Sequence, residues 1–236
     1  MRSPIPQQSN AHAVVLLFFA VACGGAEPRL PARIDGAPVL ATLASASGPG
    51  AERVRAGDLS GARSRFEADL AQDPDRLSAL NDLAVTYVLE GHGDAARRLL
   101  DDVVASGDPT EQQAALVNLG ELYAAEGYVS AAQAYLDTAR SLDPNRPEPL
   151  YALALLADAR GDLAGARVTL REALRRDDGG AARAAFAYVY PEERVHLEAL
   201  IAEQAGDRAA QERWRDLAAG RFPALAAAAE RHLAGE

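Results

Sequence analysis

The chain has 236 residues, 49% of them apolar and 25% charged, with a formal charge of −10. That length can bury a sizeable core, while the acidic balance argues against nucleic-acid partners, which need a basic surface to displace counterions. The single Cys excludes an intramolecular disulfide or a Cys-rich zinc site. Ala dominates and only 6% of residues are aromatic. Ala mixed with Leu, Arg and Glu favours helix, because these side chains lose little entropy on entering one. No stretch shows the sustained alternation of a half-buried strand, so the expected class is all-α.

Residues 1–22 read as a targeting segment. Arg2 supplies a short positive region, Ala13 to Ala22 an uninterrupted apolar run, and Ala20-Val21-Ala22-Cys23 a small-residue cleavage site. The ten residues of that run are too few to cross a ~30 Å hydrocarbon core as a helix. The tetrapeptide resembles the bacterial lipobox, with Ala20 where that motif usually carries Leu. The resemblance implies that Cys23 is acylated and becomes the mature N-terminus. It would anchor the chain in a bacterial cell envelope, at the outer membrane or periplasmic face rather than in the cytoplasm. Two other readings are an ordinary secretory signal with an incidental Cys and a buried helix of the fold. Gly24-Gly25 and Pro28 argue against the second.

Residues 23–49 carry Gly, Pro, Ala and Ser with few large apolar side chains. Such a segment cannot offset the entropy of ordering, and a flexible tether is expected. Pro49 suits the first turn of a following helix.

From residue 50 a repeat emerges. Gly57, Gly91, Gly127 and Gly161 fall 34, 36 and 34 residues apart. Ala62, Ala96, Ala132 and Ala166 keep the same spacing, as do Phe66, Leu100, Leu136 and Leu170. Preceding runs align as Leu80-Leu83-Tyr87, Leu116-Leu119-Tyr123 and Leu150-Leu153-Ala157, and Pro74, Pro109 and Pro144 close the units. The units around residues 77–108 and 113–146 are the clearest copies; in the second, Gly120 sits where two helices must touch, Gly127 turns the chain, and Asp143-Pro144-Asn145 ends it. This pattern resembles the tetratricopeptide repeat, with its Leu-Gly, Tyr, Gly, Ala, Leu, Ala, Pro skeleton. The resemblance covers residues 50–178 and implies a right-handed α-solenoid of about four helix-turn-helix units. The first is incomplete, since Gly48-Pro49-Gly50 leaves only Ala51 to Ala56 for its opening helix.

Residues 179–236 depart from the period. Asp177-Asp178-Gly179-Gly180 breaks the helix, and an Ala- and aromatic-rich segment, Ala181 to Tyr190, follows. A degenerate fifth repeat with Gly206 as its turn, then a capping helix from Phe222 to Leu233, are expected. Trp214 is read as packing between the last helices, or as an exposed anchor for a partner.

No catalytic constellation is evident: the chain lacks a phosphate-binding glycine loop, a nucleophile elbow and a Ser/Cys–His order. Glu193 and His196 share a metal-binding spacing, but the second copy and facing carboxylates of such sites are missing. No metal, no cofactor and no enzymatic activity are expected. His92 and His232 read as solvated surface residues.

Tetratricopeptide solenoids bind protein or peptide segments on the concave face lined by the first helix of each unit. Carried over, that face comprises Asn81, Val85 and Val88, with Leu89; Val117, Asn118 and Glu121, with Ala125; and Tyr151 and Leu155, with Asp158. Asn118 occupies the family's consensus Asn, whose amide can donate to and accept from an extended ligand's backbone. The basic cluster by which some members clamp a C-terminal carboxylate is missing, and Glu148 stands in its place, which favours an apolar or basic segment as ligand. The expected role is a lipid-anchored scaffold or adaptor; the alternative is an accessory regulator of a cell-envelope enzyme of cell-wall synthesis or hydrolysis.

Overall fold

The computed structural model describes residues 40–45, 47–188 and 191–206, with the side chains of residues 191–193 excepted. Cys23, Trp214, His232 and the expected capping helix lie outside the described residues. Four helix pairs follow one another: α1 (Pro49–Arg55) with α2 (Leu59–Gln72), α3 (Leu77–Leu89) with α4 (Gly93–Ser106), α5 (Pro109–Ala125) with α6 (Val129–Leu142), and α7 (Glu148–Ala159) with α8 (Leu163–Arg176). Then come α9 (Ala181–Ala184), a short strand and α10 (Pro191–Gln204). The fold is an all-α repeat solenoid.

The sequence columns become its joints. Gly57, Gly91, Gly127 and Gly161 all adopt φ near +80°, a left-handed turn that only Gly enters without penalty. Gly206, with φ of 69°, ends α10 the same way. Asp58 and Asp162 cap α2 and α8, and Asp108 with Glu111 forms a capping box on α5. The Ala column is buried in every unit, as is the Phe66, Leu100, Leu136 and Leu170 column. At Gly120 a Cβ would lie 2.7 Å from Leu136 Cδ2, so that Gly sets the separation of α5 and α6. Tyr123 stacks on Tyr135 with centroids 5.1 Å apart, in keeping with a packing role.

Successive units are also tied by charge. Arg63 on α2 pairs with Glu90 after α3 at 3.0 Å, Arg97 on α4 with Glu126 after α5, and Arg167 on α8 with Glu203 on α10 at 2.7 Å. The α6 step has Gln133 and the α7 end Arg160 at these positions instead. Exposed pairs of this kind contribute little individually, but their recurrence shows α10 stacking on α8 as a further unit would.

Two findings depart from the expected layout. A flexible tether up to residue 49 is incorrect at its C-terminal end: Leu40–Thr42 is a strand, β1, whose residues are all buried. Phe186–Tyr188 forms a second strand, β2, which pairs antiparallel with β1 in the register Leu40–Tyr188, Ala41–Ala187 and Thr42–Phe186. The insertion after α8 is therefore the part of the chain that reaches back to the N-terminal segment. Three residues per strand are too few to show alternation in sequence, and so the all-α solenoid carries a two-stranded ribbon that periodicity did not announce.

Candidate functional site: the first-helix face

The face formed by α3, α5 and α7 is where a ligand-binding groove was expected, and β1 lies on it. Asn118 of α5 holds the backbone of Thr42 from both sides. The Thr42 N–H donates to Asn118 Oδ1 at 2.7 Å, and Asn118 Nδ2 donates to the Thr42 carbonyl at 3.0 Å. One repeat earlier, Asn81 Nδ2 donates to the same carbonyl at 3.1 Å, and Asn81 Oδ1 accepts from Asn118 Nδ2 at 3.0 Å. The two carboxamides thus form a ladder across α3 and α5 with the backbone of one residue, Thr42, at its end.

Asp82 extends the grip. Its carboxylate accepts from the Ala44 N–H at 2.7 Å and the Ser45 N–H at 3.1 Å, and Asn81 Nδ2 donates to it at 3.1 Å. Burial pushes the Asp82 carboxyl above its usual range; bonds from Asn81, Ala44 and Ser45, including the Ser45 side chain, oppose the shift without cancelling it. Thr42 Oγ1 is buried and has no hydrogen-bond partner among the described residues.

The side chains of the bound segment divide between two cores. Leu40 joins Leu116, Val117, Leu155 and Phe186, whereas Ala41 and Leu43 join Phe66, Leu83 and Val85 with Ala187 of β2. Strand alternation points successive backbone units to opposite sides. Thr42 faces the carboxamides, so Ala41 faces β2. The segment is read by helix side chains along one edge and by a strand along the other.

The expected partner-binding residues consequently separate. Asn81 and Asn118, with Val85, Val117 and Leu155, meet the chain's own segment 40–45 or the cores it fills. Val88 does not face the groove; it packs with Ala84, Ala96, Leu100 and Leu119 between α3, α4 and α5. Glu121 is buried. Tyr151 is also buried: its hydroxyl donates to Asp177 Oδ2 at 3.0 Å, and its ring meets Phe186 edge-to-face at 5.5 Å. Asp177 accepts the N–H groups of Ala182 and Arg183 as well, so Tyr151 braces the insertion that carries β2. Asp82 was missed, because no family position drew attention to it. The available signal was the short apolar run Leu40-Ala41-Thr42-Leu43 inside a Gly/Pro-rich stretch.

Elsewhere, Glu148 pairs with Arg146 at 2.6 Å. His196, buried on α10, lies 2.8 Å from Asp158 Oδ2 through Nε2. Among the described residues no three or more His, Cys, Asp or Glu side chains gather in a metal-binding arrangement, and no helix is long and apolar enough to cross a membrane.

A solenoid of helix pairs with an extended segment held on its first-helix face has the architecture of a protein-interaction scaffold. Residues 53–120 match the family model described as Tetratricopeptide repeat. No curated protein matches the sequence. One solved structure that is similar is a crystal structure of PilW, described as a widely conserved type IV pilus biogenesis factor. It shares 20% identity over 74% of this chain and 90% of that one, with a TM-score of 0.34.

Proposed function

We propose that this chain is a non-catalytic adaptor that binds protein partners through extended segments on its first-helix face, anchored by a lipid on Cys23 in a bacterial cell envelope. The observation that carries the binding half is the Asn118–Thr42 clamp, in which a carboxamide satisfies both backbone groups of one residue of an extended strand. That geometry recognises peptide backbone as such. The anchoring half rests on sequence: Cys23, the chain's one thiol, closes its small-residue cleavage motif.

Two measurements test the two halves. Mass spectrometry of the mature N-terminus should find acyl chains on Cys23, and Cys23→Ser should leave the membrane fraction; an unchanged fraction refutes the anchor. For binding, a photo-crosslinking residue at Leu89 or Ala125, on first helices, should give adducts of defined mass in cells. Adducts arising from Arg140 on α6 and not from these positions would move the partner surface away from the first-helix face.

A further inference from the structure

The segment on the first-helix face belongs to the chain itself, yet it is held as a ligand would be. It enters from outside the repeats, and Thr42 is 76 residues from Asn118. The Ala and Leu columns are buried between the helices, and the segment adds Leu40, Ala41 and Leu43 at the margins of the cores they form. The polar grip falls mainly on backbone: Thr42 N–H and carbonyl, Ala44 N–H and Ser45 N–H. Such contacts would hold another extended chain equally well, because each non-proline residue offers the same donor and acceptor. Strand addition beside a sheet edge is a general mode of peptide capture, and β2 supplies that edge here.

The bound segment is also imperfect. Thr42 places a hydroxyl in a buried position where, among the described residues, nothing accepts or donates to it. A buried polar group without a partner opposes docking. An occupant with an apolar β-branched residue at that position would keep every backbone bond and lose this cost.

We propose that residues 40–45 are an exchangeable internal ligand. In their place the groove takes a partner's extended, uncharged segment of the pattern Leu-small-Val/Ile-Leu, followed by two non-proline residues. The outer Leu positions answer to the cores that hold Leu40 and Leu43, the small residue to Ala41 beside Ala187, and the two N–H groups to Asp82. The inference rests on the scaffold reading and adds its ligand pattern and its regulation. Tethering gives the internal segment an effective concentration on the order of millimolar. A partner must therefore surpass it in fit, which makes the groove selective.

The test uses the full chain and a fluorescein-labelled peptide copying residues 39–46 with Thr42→Val, read by anisotropy. Wild-type chain should bind it weakly. A chain carrying Thr42→Pro, whose own segment has lost the N–H that Asn118 accepts, should bind it at least about tenfold more tightly. A chain carrying Thr42→Val should bind it more weakly than wild type does. Peptide N-methylated at the Thr42 position, or with Asp at the Leu40 position, should lose binding. A second chain, with a protease site replacing Ala46 and cut after folding, should exchange its released N-terminal piece for the labelled peptide. Absence of saturable binding to both the Thr42→Pro and the cut chain overturns the inference, whether helical content is kept or lost, since the segment is then a permanent part of the fold. If crosslinked partners persist at Leu89 or Ala125 while peptide fails to enter, the internal-ligand inference falls and the scaffold reading stands.

Discussion

Replacing Asn118 with Ala isolates the contact on which the site depends. From sequence, Asn118→Ala is expected to weaken an external ligand by the net worth of one hydrogen bond, about 0.5–1.5 kcal/mol, and to leave the fold alone. The structure changes both parts of that expectation. Asn118 is the acceptor for Thr42 N–H at 2.7 Å, while the Thr42 carbonyl retains Asn81 Nδ2 at 3.1 Å. Truncation therefore leaves one buried N–H and the Oδ1 of Asn81 short of a partner. A buried donor left unsatisfied costs about 1–3 kcal/mol. The loss of folding stability should lie in that range and be capped by undocking of β1, which would return its backbone to water. Urea unfolding measures the total, and hydrogen exchange at the Thr42 amide reports the strand. Unchanged stability together with unchanged Thr42 protection would refute the clamp. Asn118→Asp sharpens the comparison: the acceptor remains, but a carboxylate then faces the Thr42 carbonyl and Asn81 Oδ1, so protection should be lower at neutral than at acid pH.

The other predictions probe the supports of the site. Gly120→Ala should lower stability by about 1–3 kcal/mol, because its Cβ would lie 2.7 Å from Leu136, and Leu136→Ala in the same chain should recover part of the resulting shift in Tm. Ala132→Leu, at a fully buried position of the same helix pair, should overpack it to a similar extent in thermal unfolding. Tyr151→Phe should cost about 0.5–1.5 kcal/mol by removing the bond to Asp177, and Tyr151→Ala about 3–5 kcal/mol, both read in urea. Burial raises the Asp82 carboxyl above 3.8, so the folded state holds that proton more tightly than the unfolded chain does. The Asp82 contribution is then complete below pH 3.8 and is lost as pH climbs through the raised folded value; the difference in stability between wild type and Asp82→Asn should show that downward slope.

Repeat columns were legible because they recur. Each Gly, Ala and Leu position is constrained by the same helix-on-helix contact, so one solution is written four times, and the turn glycines, buried alanines and large apolar residues all fall where the period placed them. The groove occupant is written once. A run as short as Leu40–Leu43 has neither length nor periodicity to distinguish a docked strand from an apolar patch in a tether, and its partner β2 lies in the segment where the repeat breaks. Tyr151 illustrates the same limit from the other side. Its position on a first helix is shared with groove residues of other units, but its orientation follows from Asp177 and Phe186, which belong to the non-repeating insertion. Position within a repeat fixed what the repeats contact among themselves; the contacts of non-repeating chain had no second copy to reveal them.

The placement of β1 bears on the array as a whole. In a solenoid each unit touches its neighbours, and stability is close to a sum of unit and interface terms. Here one short segment contacts units that are not adjacent in sequence. Leu40 lies in the core of α5 to α8, Ala41 and Leu43 in the core of α1 to α3, and β2 fastens the strand to the chain beyond α8. Docking therefore couples the first unit to the last through the groove. An occupant that replaced residues 40–45 on another chain would preserve the contacts along the groove but cut the covalent link to α1. Exchange at the groove would then be felt at α1 and α2 as a loss of restraint, while α5 to α8 kept theirs. Hydrogen exchange in these two regions, compared before and after peptide entry, distinguishes this coupled arrangement from a groove that merely changes its tenant: protection should fall in Pro49–Gln72 and hold in Pro109–Arg176.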